Sequence, residues 1–168
     1  AATTSANGVC YPLATCGDSN GAGSGIAAVS DSDCGTRYVY NSANSASYCA
    51  GATCSAGSDP DRAKCCKFGP MSDAQYKVAS WMWVQDTTTA TNMWGTIADW
   101  DVHLVADFSY SFSANRNQAG GSFQSNGNSE ATKWGAGVDL SKWNTASLSS
   151  LQGTFYGASL MNADVSKW

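Results

Sequence analysis

The sequence predicts a mixed α/β repeat fold: a solenoid of short parallel strands in coils of about 25 residues, capped by an amino-terminal helix and preceded by a small disulfide-rich irregular segment. Three observations predict it. All seven cysteines lie before residue 67, all seven tryptophans lie after residue 80, and a five-residue tryptophan motif recurs 25 residues after itself. The first two divide the 168 residues into a cross-linked segment, 1–67, and an aromatic-rich one, 68–168. The third makes the latter periodic.

Residues 1–67 are rich in Gly, Ala, Ser and Asp, with few large apolar residues beyond Leu13, Ile26 and the Tyr38-Val39-Tyr40 run. Such a composition buries too little apolar area to offset its conformational entropy, so covalent cross-links must restrict the unfolded chain instead. The candidates are Cys10, Cys16, Cys34, Cys49, Cys54, Cys65 and Cys66. A zinc site is the rival use of these residues. Vicinal Cys65 and Cys66 are poorly placed to give one ion two tetrahedral ligands, the segment holds no histidine, and the spacings match no ribbon or finger. No metal and no other cofactor is expected. Seven is odd, so one thiol is left unpaired or bonds another chain, and the sequence leaves both readings open.

The formal charge of −4, the pI near 4.6 and nine scattered basic residues argue against nucleic acid or an anionic membrane surface as partner. No apolar run approaches the roughly eighteen residues of a membrane span. The Ala1-Ala2-Thr3-Thr4 start fits what remains after a leader is cleaved. A secreted, extracellular or cell-surface location is expected, with an oxidising organelle lumen as the alternative.

The helix comes next in the chain. Ser72 and Gln75 have capping-box spacing, Pro70 precedes them, and Met71 with Tyr76 fits a hydrophobic staple. These signals predict a helix from about Asp73 to Gln85 with Ala74, Tyr76, Val78, Trp81 and Met82 towards the core.

The coils follow it. Asp139-Leu140-Ser141-Lys142-Trp143 recurs as Asp164-Val165-Ser166-Lys167-Trp168, with four of five positions identical. A looser copy ends at Trp100, with Ile97 three residues before it and Met93 seven before it, as Met161 stands before Trp168. Val105, Phe108 and Phe112 follow Trp100 at offsets of 5, 8 and 12, and Leu148, Leu151 and Phe155 follow Trp143 at the same offsets. The repeat core is therefore Ile97, Trp100, Val105, Phe108, Phe112, Leu140, Trp143, Leu148, Leu151, Phe155, Val165 and Trp168. Strict strand alternation does not bury both Leu140 and Trp143, so a turn is needed near Lys142, with Asp101 and Asn144 as corner residues. Residues 115–133, containing Gly120-Gly121 and Asn126-Gly127-Asn128, read as an exposed loop insertion. Trp83 and Trp134 fall outside the register and are candidates for a surface contact.

With these residues in hand, the stretch 73–168 resembles the BspA-like surface-protein branch of the leucine-rich repeats. The resemblance rests on Trp94-Gly95-Thr96-Ile97-Ala98-Asp99-Trp100-Asp101-Val102, and on Gly153-Thr154-Phe155-Tyr156-Gly157-Ala158 followed by Asn162-Ala163-Asp164-Val165-Ser166-Lys167-Trp168. It implies a leading helix, tryptophan-ended coils, and a surface-displayed or secreted adhesin or structural component. The chain departs from that pattern in the insertion after Phe112 and in Phe108 and Leu151, which stand where the family has Met. The Cys-rich segment lies outside the resemblance.

Catalytic chemistry finds little support. His103 is the sole histidine and has no evident triad partner. The carboxylate pairs Asp31/Asp33, Asp59/Asp61 and Asp99/Asp101 are ordinary for an acidic surface, and Gly21-Ala22-Gly23-Ser24-Gly25 is not followed by Lys-Ser/Thr. No enzyme is expected. The sequence given stops at Trp168 with no return leg and no polar cap, so either the polypeptide continues beyond it or the solenoid's last face docks on a protein partner, the latter being the expectation. That partner is another copy or a larger assembly, which makes the chain a non-catalytic structural or adhesive subunit of a surface assembly or filament. An accessory subunit in an oxidising lumen and a carbohydrate-binding module, with glycans as partners, are the alternatives.

Overall fold

The structure is a computed structural model that describes residues 3–6, 9–21, 25–118 and 122–168, with the backbone alone for 3–6 and 9–12. It divides into two compact units, Ala1–Gly69 and Pro70–Trp168.

In the first unit, β1 (Thr3–Ala6) pairs antiparallel with β2 (Val9–Pro12), and β3 (Tyr38–Tyr40) pairs antiparallel with β4 (Cys66–Phe68). Two single-turn helices, α1 (Asp31–Cys34) and α2 (Asp61–Cys65), complete it. Ser30 caps α1 in a reciprocal box, its hydroxyl accepting from Asp33 N–H while the Asp33 carboxylate accepts from Ser30 N–H. The core is Ala14, Val29 and Ala56 with the cysteines. Three disulfides join the described cysteines: Cys16–Cys65, Cys34–Cys66 and Cys49–Cys54. The vicinal pair Cys65 and Cys66 thus reaches two separate stretches of chain and ties both to the α2–β4 junction. The side chain of Cys10 lies outside the described residues. Buried Asp61 closes the 49–55 loop by accepting N–H bonds from Ala50 at 2.8 Å and Ser55 at 2.9 Å.

The second unit begins with α3 (Asp73–Gln85). Its capping box forms as the spacing implies: Ser72 Oγ accepts from Gln75 N–H at 3.3 Å, and Gln75 Oε1 accepts from Ser72 N–H at 2.8 Å. The buried face is rotated from the expected one. Tyr76, Ala79, Ser80, Trp83 and Val84 are inside, Ala74 and Val78 are exposed, and Trp81 and Met82 lie half-buried. The cause is polar: Lys77 and Ser80 take part in a buried hydrogen-bond network and so turn inward with the apolar residues. A second helix, α4 (Thr87–Trp94), is capped by the Asp86 carboxylate, which accepts from Thr89 N–H at 3.0 Å, and it buries Ala90 and Trp94.

From Trp100 onward no strand forms among the described residues, which corrects the expected solenoid of parallel strands. The sheets that exist are two-stranded, antiparallel and confined to the first unit. In the second unit one parallel bridge joins Asp107 and Ser150, and four amides, Phe108, Tyr110, Phe112 and Ala114, donate to the carbonyls of Ser150, Gln152, Thr154 and Tyr156 at 2.8–2.9 Å. The intervening amides explain why no strand results. Ser111 N–H closes a turn onto Phe108 C=O, Ser113 onto Tyr110, Thr154 onto Leu151 and Tyr156 onto Gly153, so each segment spends alternate amides on itself.

Asx turns set the corners. Asp107, Asp139, Asn144 and Asp164 each accept the N–H two residues on, at 2.8–3.1 Å. These bonds favour the ionised carboxylate. Asp139 is held below its ordinary pKa by its hydrogen bonds with Ser141, and Asp164 by those with Ser166. The cap residue Asp33 is lowered by Ser30 and Asp86 by Thr89 in the same way. For a carboxyl whose folded pKa is depressed, the stabilisation is fully present above the unfolded value of 3.8 and is lost as pH falls through the folded value. Thermal stability is therefore expected to drop on acidification below that value, and a D139N/D164N double variant should show a shallower acid limb in circular-dichroism melts. An equally steep limb in the variant would remove these turns from the account.

Candidate functional site

The second unit's core is a stack of aromatic rings built outward from α3. Tyr76 lies fully buried, stacked on Phe108 at 4.5 Å between ring centroids and edge-on to Trp100 and Trp143 at 6.5 and 6.0 Å. Trp143 then lies over Trp100 at 6.1 Å and 15°, and Trp168 over Trp143 at 5.5 Å and 4°. Beside it Phe112, Trp134 and Phe155 form a near-parallel cluster of three rings, with Phe112 4.3 Å from Trp134 and 5.8 Å from Phe155, and Trp134 6.3 Å from Phe155. The indole N–H groups fix the order: Trp143 Nε1 donates to Ile97 C=O at 2.8 Å, and Trp168 Nε1 to Leu140 C=O at 3.3 Å. Trp143 and Trp168 are thus each bonded to the backbone of the layer beneath, which removes the cost of a buried, unpaired donor at these two rings.

Burial falls off along the stack. Ile97, Trp100, Val105, Phe108, Phe112, Leu140 and Trp143 are buried in one cluster, while Leu148, Phe155 and Trp168 are half-buried against it. Leu151 and Val165, expected in the core, are instead exposed, Leu151 at 50 %. Among the described residues of the second unit none covers them. Tyr156, at 60 % exposed, adds to the same apolar surface and is not marked by the periodicity.

The result is an apolar ledge. A shallow cleft of about 560 Å³ is lined by Leu151, Gly153, Thr154, Phe155, Tyr156, Val165 and Trp168, and an adjoining one of about 370 Å³ by Thr145, Leu148, Ser149, Ser150, Leu151 and Trp168. Neither lining contains a charged side chain. Gly153 holds φ at +60°, and a Cβ there would meet the Tyr110 ring at 2.6 Å, so the backbone at the centre of the ledge requires glycine.

Trp83 and Trp134 are not surface contacts, which corrects that expectation. Both are only 7 % exposed: Trp83 sits edge-on to Trp100 at 5.6 Å, and Trp134 stacks on Phe112. The rotation of α3 turns Trp83 inward, and the 3-10 turn Ser129–Lys133 carries Trp134 back onto the core. The 115–133 insertion is correspondingly anchored at both ends by buried Arg116, Asn128 and Ala131; Gly120-Gly121 lies outside the described residues.

Arg116 is the polar anchor. Its guanidinium donates to Ser80 Oγ at 3.0 Å, to Lys77 C=O at 3.0 Å, to Asn117 C=O at 3.2 Å and to Ser111 C=O, and lies 5.4 Å from the Trp81 ring centre. Burial pulls its pKa down to about 10, which leaves it charged at neutral pH. Neighbouring Lys77, also drawn down by burial, donates to Ser109 C=O at 2.8 Å and pairs with Asp107 at 3.4 Å. These groups join α3 to the turns that carry the ledge. His103 is 2.6 Å from the Asp101 carboxylate in a solvent-facing corner, and among the described residues no Ser, Thr or Cys hydrogen-bonds to its ring.

Among the described residues no helix is long and apolar enough to cross a membrane. The three disulfides are compatible with an extracellular or otherwise oxidising location. No curated protein and no solved structure matches the chain. The resemblance to the BspA-like leucine-rich repeats is corrected by the family comparison: what residues 86–168 match is the model of a family described as Mycoplasma protein of unknown function, DUF285.

Proposed function

We propose that the protein is a non-catalytic, extracellular or cell-surface structural component that joins copies of itself, or a larger assembly, through the ledge around Trp168. The observation that carries this reading is the ledge itself: a continuous apolar surface, free of charge, whose rings already stack at core spacing on their inner side. Contiguous apolar surface of this kind marks a protein contact. A second copy is the occupant the proposal commits to; if it meets the ledge with a different surface of its own, growth is head-to-tail into rings or filaments. The disulfide-bonded first unit supports service in an oxidising environment, where a small core benefits from cross-links. A glycan-binding reading loses the tryptophans assigned to it, since Trp83 and Trp134 are interior.

Light scattering across a concentration series tests the proposal. The wild-type chain is expected to associate. Leu151→Asp, which puts a charge on an already exposed side chain, is expected to weaken association at least about tenfold, equivalent to about 1.4 kcal/mol, without lowering the melting temperature. A wild-type chain that stays monomeric throughout, with no partner competing for the ledge, would contradict it.

A further inference from the structure

The sulfur atoms of the first unit are closer than three independent disulfides require. Cys49 Sγ lies 3.6 Å from Cys65 Sγ, although each is bonded elsewhere, and the sulfurs of Cys16, Cys49 and Cys65 all lie within 4.8 Å of one another. Cys49, Cys16 and Cys65 are buried; Cys54 is half-exposed. Cys54 of the Cys49–Cys54 bond is therefore partly exposed, its sulfur 3.3 Å from Thr15 C=O, while the Cys49 sulfur touches the neighbouring bond.

We propose that Cys49–Cys54 and Cys16–Cys65 form a disulfide-exchange relay, entered from solvent at Cys54 by a low-molecular-weight thiol. The thiolate attacks Cys54 Sγ, forms a mixed disulfide there, and expels Cys49 as a thiolate. Cys49 attacks Cys65 Sγ in turn, forms Cys49–Cys65, and expels Cys16, which takes up the proton the incoming thiol gave up. Each step breaks one S–S bond and makes one, so no external oxidant is consumed.

The scaffold holds the Cys49 backbone beside Cys65 after the first step, and rotation of the freed side chain brings its sulfur into line with the Cys65–Cys16 bond. Cys49 N–H donates to Ala14 C=O at 2.9 Å and Cys16 N–H to Ser47 C=O at 3.0 Å. The Asp61 carboxylate holds Ala50 and Ser55, the residues immediately after Cys49 and Cys54, so opening the bond does not release the loop. The exchange replaces a link spanning 49 positions by one spanning 16, and so loosens the covalent hold on the unit's amino-terminal part. A chemical signal, thiol concentration, is thereby converted into a change of cross-link topology.

Limited treatment of the whole chain with reduced glutathione, trapping with N-ethylmaleimide and non-reducing peptide mapping test the relay. The expected products are glutathione on Cys54, a Cys49–Cys65 linkage and maleimide on Cys16. Glutathione on Cys54 with maleimide on Cys49 and Cys16–Cys65 intact would overturn it, as would Cys34–Cys66 opening first or no reaction at Cys54. The Cys16→Ala variant gives an independent reading: Cys65, deprived of its partner, is expected to capture Cys49 and leave the label on Cys54. Label on Cys65 with Cys49–Cys54 retained contradicts the relay, and if this variant does not fold, the wild-type map decides alone.

Discussion

Trp143→Ala is expected to cost about 3–5 kcal/mol of stability, the range for removing a large buried aromatic side chain. Trp143 is the middle ring of its row: Trp100 lies beneath it, Trp168 above it, and Tyr76, Phe108 and Phe112 pack around its rim. Its loss opens a cavity that rigid neighbours fill poorly, and it leaves Ile97 C=O without the indole donor at 2.8 Å. Removal of Trp168, which is half-buried and holds a longer bond at 3.3 Å, should cost clearly less. Urea unfolding monitored by circular dichroism measures both. Equal losses at the two positions would mean that the stack is not graded in burial.

The second large effect is expected in the first unit. Removing Cys16–Cys65 by paired alanine substitution should destabilise the unit by about 4 kcal/mol, since a link between residues 49 positions apart closes a long loop of the unfolded chain. Removing Cys49–Cys54, which closes a separation of only 5, should cost about 2 kcal/mol by the same chain-entropy argument. The order matters more than the values. With a core of three small or medium apolar residues besides its cysteines, this unit has little else to draw on. Denaturant titrations of the two double variants, each with its remaining bonds verified by mapping, distinguish them. A larger loss for the short loop would show that native-state packing around Cys49, not unfolded-chain entropy, sets the stability.

Some of this is written plainly in the residues. Cysteines without histidine, in a segment with too few large apolar side chains, point to disulfides, and the structure pairs six of them. The motif shared by 139–143 and 164–168 points to two rings in equivalent places, and those rings stack at 5.5 Å. The parallel strands are absent for a local reason: Ser111, Ser113 and Thr154 spend their amides on turns within their own segments, a competition that hydrophobic spacing does not reveal. Helix α4 contains three consecutive threonines, poor helix formers, so only the Asp86 cap signals it. Trp83 and Trp134 were misplaced because falling outside a repeat register says nothing about burial. Buried Arg116 had no signal of its own in a polar loop; the faint one was elsewhere, in Lys77 and Ser80 interrupting the apolar residues of α3. The ledge was half legible, since Phe155 and Trp168 follow from the repeat, but exposure of Leu151 and Val165 depends on what lies over them.

Assembly through the ledge covers Leu151, Tyr156 and Trp168. Hydroxyl-radical footprinting at low and high protein concentration reads this residue by residue. Protection is expected to rise with concentration at Leu151, Tyr156 and Trp168 while exposed Leu104 and Ile26 stay reactive. Assembly that leaves those three ledge residues as reactive as in the monomer would contradict it.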